Sequence, residues 1–246
     1  MRILVGAPVK QDETIFKYYL ESLASQQHNH EVDYFFILHN SPELKKYLHP
    51  HQYEEYTNKT QYSRADTHYW NSNNLKDVMI MKNYLLKKTL DEGYDYFFLV
   101  DSDLILHPNT LEHLARQRQK IISEIFWTKW KPHEEEMPNA WDYDYYGYAK
   151  DHNWRKWRHK EIYKVGYSGA CIMIHRDVIE AGVYYSPIHN VSFTTWEDRA
   201  FCIRAAVHGF QVTMDTHYPA RHLYRAEDVK AYEIHRQTQF PLQTKG

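Results

Sequence analysis

The chain has 246 residues, a formal net charge of −2 and 43% hydrophobic residues. This near-neutral balance gives no electrostatic reason to expect a nucleic acid or an anionic membrane as partner. The two cysteines, Cys171 and Cys202, are too few for a disulfide framework or a four-cysteine zinc site. No apolar stretch has the length or flanks of a signal peptide or of a membrane span. We therefore expect a cytoplasmic protein without an integral membrane segment, at most peripheral to a membrane.

The first half of the chain alternates between apolar runs and helical periodicity. Continuous apolar runs that end at turn residues predict strands at residues 3–7, 32–38 and 96–100. Apolar residues at three- and four-residue steps predict helices around residues 16–23 and 75–90. Strands that alternate with helices in this way predict a mainly parallel sheet with helices on both faces.

The second half has a weaker pattern. Further strands are predicted at residues 121–126, 165–175 and 210–214, and a helix at residues 198–208. Two stretches lack clear periodicity. Residues 47–74 are predicted to form a long loop with local helical pieces, and residues 127–160 a long functional insertion. We see no internal repeat and no domain boundary, which predicts a single domain over residues 1–246.

Two acidic residues directly follow the apolar strand predicted at residues 96–100. In an open α/β sheet, ligands bind beyond the carboxyl ends of the strands, where Asp101 and Asp103 are expected. Two carboxylates at this spacing can converge from a turn on one hard cation, and oxygen ligands suit Mg²⁺ or Mn²⁺. The alternative is a loop with solvated acids. The preceding strand favours the metal interpretation.

The segment Val100-Asp101-Ser102-Asp103 resembles the D-x-D motif of GT-A glycosyltransferases, especially those of the large family-2 group. Three further segments follow the order of that family over about residues 1–225. They are the first strand with Ala7-Pro8-Val9, the helix start Trp196-Glu197-Asp198, and the pair His222-Leu223. The resemblance implies a GT-A fold, a nucleotide-sugar donor and a Mn²⁺ or Mg²⁺ cofactor. It also implies a donor half at 1–107, an acceptor half at 108–225 and a C-terminal tail at 226–246.

The resemblance assigns the acceptor side and the metal shell to particular residues. Asp198 would be the general base, with Glu197 as the second catalytic candidate, although either carboxylate can instead favour a helix N-terminus. Gly169 and Ala170 resemble the glycine segment near the acceptor, and an ordinary glycine turn is the alternative. His222 would join Asp101 and Asp103 as a metal ligand. His217 is the rival for that role because Arg221 stands where the family commonly has glycine.

The donor side is assigned less directly. Donor-binding candidates are Ala7, Pro8, Val9, Asn40, Arg64, Lys82, Asp101, Ser102 and Asp103. Many family members have an acidic residue after the second strand, where this chain has Asn40, so a uridine base does not follow from the sequence. Lys82 interrupts an apolar helix face, which fits either a contact with substrate or an aliphatic stem that carries its ammonium to solvent. Trp196 is an acceptor-side candidate because aromatic faces suit sugar stacking.

These assignments predict a metal-dependent, inverting glycosyltransferase that moves a sugar to the hydroxyl of a glycan, a lipid-linked acceptor or a protein. A sugar-1-phosphate nucleotidyltransferase is the first alternative, but those enzymes typically have a glycine-rich basic loop after the first strand. Only Gly6 is present there. A non-catalytic carbohydrate-binding protein is the second alternative. Such a protein would need neither the D-x-D pair nor Asp198.

Overall fold

The architecture comes from a computed structural model that describes residues 1–60, 72–131, 133–142, 154–189 and 197–239. The strands in these ranges are β1 (Arg2–Val9), β2 (Glu31–His39), β3 (Tyr53–Tyr56), β4 (Tyr96–Val100), β5 (Leu104–Ile105), β6 (Ile121–Thr128), β7 (Met137–Pro138), β8 (Ala140–Trp141), β9 (Ile162–Val165), β10 (Tyr167–Ser168), β11 (Cys171–His175) and β12 (Val212–His222). The α-helices are α1 (Glu13–Ala24), α2 (Ser72–Asp91), α3 (Thr110–Arg116), α4 (Arg176–Glu180), α5 (Glu197–Val207) and α6 (Ala226–Gln239). Short 3-10 helices occupy Pro42–Tyr47, Pro50–Gln52 and Trp154–Arg158.

One mixed sheet organises the fold. Its strand order is β3-β2-β1-β4-β11-β6-β12-β5, with β7 added beside β6 and β9 beside β12. The pairs β3–β2, β2–β1 and β1–β4 are parallel, and so is β6–β12. β11 runs antiparallel to both β4 and β6, so β4 and β6 point the same way. The carboxyl ends of β1, β2, β4 and β6 therefore lie at one edge of the sheet.

Helices cover both faces of this sheet and bury two apolar layers. On one face, α2 and α5 contribute Met81, Leu85 and Phe201 to the core. On the other face, α1 and α3 contribute Phe16 and Leu111. Successive residues of a strand point to opposite faces, so the fully apolar β4 supplies both layers at once. This arrangement confirms the predicted α/β class with a mainly parallel sheet.

The core strands agree with their predicted positions, but several shorter elements were missed. The predicted loop at 47–74 contains a short helical piece as expected, the 3-10 helix Pro50–Gln52, but also the unpredicted strand β3, and α2 already begins at Ser72. The predicted strand at 165–175 is three separate pieces, β9, β10 and β11, joined by turns. β12 continues eight residues beyond the predicted end at 214, because its polar second half pairs with β5 and β6.

The segment predicted as a C-terminal tail contains α6, which packs on α1. Tyr232 stacks edge-on against Tyr18 at a centroid distance of 5.2 Å, and Arg236 pairs with Glu21 at 2.8 Å. In the described part of the chain, no helix is both long and apolar enough to cross a membrane.

Candidate functional site

The D-x-D residues lie at the carboxyl end of β4, as the sequence predicts. Tyr19 donates its hydroxyl to the carbonyl of Val100 at 2.8 Å, and the amide of Asp101 donates to the carbonyl of Ala170 at 2.8 Å. The amide of Leu104 donates to the carbonyl of Asp101 at 3.0 Å, which closes the turn that carries Asp103. The turn is thus fixed from both sides, and Ser102 within it is buried.

Lys82 joins this edge of the sheet to the start of α5. Its ammonium donates to Oε1 of Glu197 at 2.9 Å and to Oδ1 of Asp198 at 2.8 Å. The Lys82 side chain is only 2% exposed, so it does not carry its charge to solvent. A buried ammonium with two carboxylate partners satisfies the general requirement that buried charges be paired. The structure therefore brings Lys82, a donor-side candidate, into contact with both catalytic candidates.

The glycine segment lies directly against Asp198. A Cβ atom built on Gly169 would come within 2.0 Å of Oδ2 of Asp198, so the close approach requires glycine. The neighbouring Ala170 has φ +65°, in the left-handed region that is costly for a residue with a side chain. Its carbonyl accepts the amide of Asp101. Asp101, Ala170, Gly169 and Asp198 therefore form one continuous chain of contacts from the D-x-D turn to α5.

Burial and neighbouring charges shift the pKa values of the Asp198 and Asp101 carboxyl groups. Burial raises the pKa of Asp198 to about 6, while the Lys82 ammonium opposes the rise and Glu197 adds to it. Burial also raises the pKa of Asp101 to about 8, with Lys82 again opposing and Asp103 adding to the rise. Three acids, Asp101, Glu197 and Asp198, thus act on the single ammonium of Lys82. A carboxylate with a pKa near neutrality can exchange a proton at physiological pH, which is what a general base requires.

His222 lies beside Asp103 at the end of β12. Its Nε2 is 3.3 Å from Oδ2 of Asp103, and the amide of Leu223 donates to the carbonyl of Asp103 at 2.8 Å. The His222 ring packs against Phe126 at a centroid distance of 4.9 Å. His217, the rival candidate, contacts Asp215 and not Asp103. A carboxylate oxygen and an imidazole nitrogen at this separation fit two ligands of one divalent cation.

Asp101 does not complete a three-residue metal site. In the described ranges, only one group of three or more His, Cys, Asp or Glu residues has ligand atoms within 4.8 Å of one another, and it contains neither Asp101, Asp103 nor His222. The donor set around Asp103 therefore suits an ion such as Mg²⁺ or Mn²⁺ that fills its remaining positions with water and substrate phosphates.

Near the end of β2, beside the donor-side candidate Asn40, lies an acid that the sequence pattern did not single out. Asn40, at φ +48°, exchanges hydrogen bonds with Asn58, and His39 lies 3.2 Å from the same Asn58 oxygen. Asp77 of α2 accepts a hydrogen bond from Tyr56 at 3.2 Å and lies 3.9 Å from His39. An acid thus stands near the end of β2, supplied by α2 and not by the loop after β2. Its signal in the sequence was a charged residue next to the apolar stripe of a helix.

The remaining candidate residues differ in their burial, and two of them are not described by the structure. Ala7 and Val9 are buried in the two apolar layers, and Pro8 between them is half-buried. Gly6 is required by strand packing, because a Cβ there would lie 2.0 Å from the carbonyl oxygen of Phe35. Arg64 and Trp196 lie outside the described residues.

Comparison with known proteins supports the fold and not a particular family. No protein-family profile and no curated protein sequence matches the chain. Among solved structures, apo-UDP-glucose pyrophosphorylase is similar with a TM-score of 0.55 and 9% identity, over 97% of this chain and 98% of that one. The inositol-1-phosphate CTP transferase from T. maritima gives a TM-score of 0.51 and 13% identity, over 98% and 96% of the two chains.

A third similar structure is S. aureus TarS 1–349, with a TM-score of 0.51 and 14% identity over 96% of this chain. The chain spans 64% of that TarS structure. At such identities a likeness shows the fold alone. The chain therefore shares with these structures an α/β fold with a mixed, mainly parallel sheet flanked by helices.

Proposed function

We propose that this protein is a metal-dependent glycosyltransferase that moves a sugar from a nucleoside-diphosphate sugar to an acceptor hydroxyl. The observation that carries the proposal is the Asp198 carboxylate. It is seated against Gly169 and paired with Lys82, in continuous contact with the D-x-D turn. These contacts support the proposal because they join the proposed base to the turn that carries the proposed metal ligand Asp103.

The proposed reaction uses Asp198 as the base and the nucleoside diphosphate as the leaving group. The acceptor oxygen attacks the anomeric carbon and its proton passes to Asp198, whose pKa of about 6 leaves it mostly ionised at neutral pH. As the new C–O bond forms, the bond from the anomeric carbon to the diphosphate oxygen breaks, and the electron pair leaves with the diphosphate. Attack opposite the leaving group inverts the anomeric centre.

Asp103 and His222 are the proposed metal-holding residues, and Asp101 is the proposed acidic neighbour of the site. A bound Mn²⁺ or Mg²⁺ would stabilise the charge that develops on the diphosphate. Lys82 keeps Asp198 ionised, because its ammonium lowers the pKa that burial raises. Gly169 lets the Asp198 carboxylate lie close to the backbone of the segment that leads to the D-x-D turn.

A sugar-1-phosphate nucleotidyltransferase remains the alternative, because two structures of that kind of fold are among the similar ones. The residues at the carboxyl end of β1 argue against a nucleotidyltransferase. Gly6 serves strand packing there, and the following segment holds two buried apolar side chains in place of a glycine-rich phosphate loop. A non-catalytic sugar-binding protein would not need a buried lysine paired with the Asp198 carboxylate.

The proposal is tested by measuring nucleotide-sugar binding and hydrolysis in the presence and absence of Mn²⁺. We expect thermal stabilisation and slow hydrolysis with at least one nucleoside-diphosphate sugar, both dependent on the metal. Asp103→Asn and His222→Gln should each weaken Mn²⁺-dependent binding of the nucleoside diphosphate, whereas His107→Gln should not. Metal-independent binding, or equal binding in all three variants, would refute the metal assignment.

A further inference from the structure

A second group of metal-ligating side chains lies on the face of the sheet covered by α3. Nε2 of His113 is 2.9 Å from Oδ2 of Asp215, and Nδ1 of His217 is 3.1 Å from Oδ1 of the same carboxylate. The two imidazole rings have a centroid separation of 4.7 Å. One ligand atom from each of these residues lies within 4.8 Å of the others. None of the three takes part in the proposed transfer reaction.

A buried carboxyl group stands next to this cluster. Glu124 of β6 is the register partner of Asp215 of β12, and both side chains are fully buried. Register partners in a parallel pair point to the same face of the sheet. Oε2 of Glu124 is buried and has no hydrogen-bond partner among the described residues. An unsatisfied buried carboxyl oxygen is costly, so its position beside Asp215 calls for a proton or a cation between the two acids.

The described ion pairs supply no lysine or arginine for these acids. Asp215 pairs only with His113 and His217 in those ranges, and Glu124 with no cation. Two neighbouring buried carboxyl groups require either a shared proton or a cation. The partly exposed His113 and His217 lie beside Asp215. A metal cation is chemically suitable here because imidazole binds divalent metals of intermediate softness.

We propose that His113, Asp215 and His217 form a site for a divalent transition metal of the Zn²⁺ class, separate from the proposed donor-site metal, with Glu124 as its buried acidic neighbour. Two imidazoles and one carboxylate, with the fourth position open, are a known zinc donor set. In tetrahedral coordination, zinc ligand atoms lie about 3.3 Å apart. Nε2 of His113 and Nδ1 of His217 lie 2.9 and 3.2 Å from the same oxygen, Oδ2 of Asp215, which is close to that spacing.

Other contacts of the site fit this assignment. The amide of His217 donates to Oδ1 of Asp215 at 2.8 Å and so orients the carboxylate. Such outer hydrogen bonds are typical of metal ligands. The His113 and His217 side chains are 22% and 32% exposed, so an ion has a path from solvent to the buried Asp215. A bound ion would link α3 to β12 next to the irregularity that follows Asp215 in the β6–β12 pairing.

The test is a Zn²⁺ titration by calorimetry of the chelator-treated full chain, in an Asp103→Asn background so that the donor site does not contribute. We expect one site that is lost in His113→Gln and in His217→Gln, with affinity reduced at least about a hundredfold. Changes to outer-shell partners alone cost about 10- to 100-fold, and Glu124→Gln should fall in that range. Co²⁺ in the same site should give visible absorption bands of low-symmetry coordination, which the glutamine variants lose.

Glutamine is chosen because its amide can still donate a hydrogen bond to Asp215, so a purely structural network survives the change. His107→Gln is the matched control, since His107 stacks on Tyr218 beside the cluster without entering it. Equal Zn²⁺ affinity in His113→Gln, His217→Gln and His107→Gln would overturn the proposal. So would a single Zn²⁺ site in the wild type that Asp103→Asn abolishes, because the buried acids would then share a proton. Neither outcome depends on whether the chain transfers sugar.

Discussion

Oδ2 of Asp198 lies 2.0 Å from the point where a Cβ atom on residue 169 would stand, so only glycine fits beneath this carboxylate. The contact holds Asp198 in a fixed position relative to the D-x-D turn, because the next residue, Ala170, bonds to the amide of Asp101. A side chain at residue 169 is therefore expected to act through Asp198.

Gly169→Ala should displace the Asp198 carboxylate and weaken its bond to Lys82. We expect sugar transfer to fall about a hundredfold, the usual order of effect when a catalytic group is misplaced by about 1 Å. Gly209→Ala is the control, because residue 209 has no neighbour within 4 Å of its added Cβ but has φ +81°. Gly209→Ala should lower the free energy of unfolding by about 1 kcal/mol through backbone strain and leave the rate of sugar transfer unchanged. Equal transfer rates in the two variants would remove the role of the Gly169 contact.

Asp198→Asn should reduce transfer by about a hundred- to ten-thousand-fold, because an amide cannot take the proton of the acceptor hydroxyl. Donor affinity, measured by calorimetry with Mn²⁺, should stay within a fewfold. Glu197→Gln is the matched control, since Glu197 bonds to the same ammonium of Lys82. It loses a similar ion pair but keeps the proposed base. Should Glu197→Gln be the inactive variant and Asp198→Asn the active one, the base would be Glu197.

Lys82→Gln should move the acid limb of the pH–rate profile. The limb of kcat/KM is expected at about pH 6, where Asp198 gains a proton. Lys82 lowers that pKa, so its loss raises the pKa and shifts the limb to higher pH. The variant should therefore lose more activity at pH 6 than at pH 8. Lys87→Gln, on the exposed side of the same helix, should leave the profile unchanged. An unshifted limb in Lys82→Gln would exclude Asp198 as the titrating group.

The position of Asp101 at the end of a buried strand was predictable from the sequence, whereas the ion pair between Lys82 and Asp198 was not. Buried strands of an α/β sheet appear as continuous apolar runs, so β4 and the position of Asp101 after it were evident. The bond between Lys82 and Asp198 joins residues 116 positions apart, and no local pattern encodes such a pair. The signal that existed was a lysine on an apolar helix face, which fits a buried ion pair as well as a solvent-reaching side chain.

The missed elements have a similar physical origin. The two-residue β5 forms because β12 runs beside it, so its strand conformation depends on a tertiary partner. The second half of β12 is polar and therefore lacks the apolar run that marks a buried strand. The Asp215 cluster combines α3, which was not predicted, with this strand. For that reason His217 appeared from sequence only as a rival to His222.

Asp101→Asn should stabilise the metal-free protein at alkaline pH. Because the folded-state pKa of Asp101 is about 8 and its ordinary value is 3.8, the folded state holds a proton that the unfolded chain has lost between those pH values. Stability is then lost as pH rises through this window. Partial solvent access reduces the effect, and we expect a gain of roughly 1 to 2 kcal/mol at pH 8 and little at pH 4. Denaturant unfolding at both pH values measures it, with the exposed Asp91→Asn as control. A loss of stability at pH 8 would contradict the buried-acid account.

The proposed transfer breaks the donor bond between the sugar and the diphosphate, so the nucleotide product distinguishes it from nucleotidyl transfer. The chain is incubated with Mn²⁺ and a nucleoside-diphosphate sugar that stabilises it, with and without inorganic pyrophosphate, and the products are separated by anion-exchange chromatography. We expect release of the nucleoside diphosphate, unaffected by pyrophosphate and abolished in Asp198→Asn. Formation of the nucleoside triphosphate and sugar 1-phosphate, dependent on pyrophosphate and retained in Asp198→Asn, would contradict it and identify a nucleotidyltransferase.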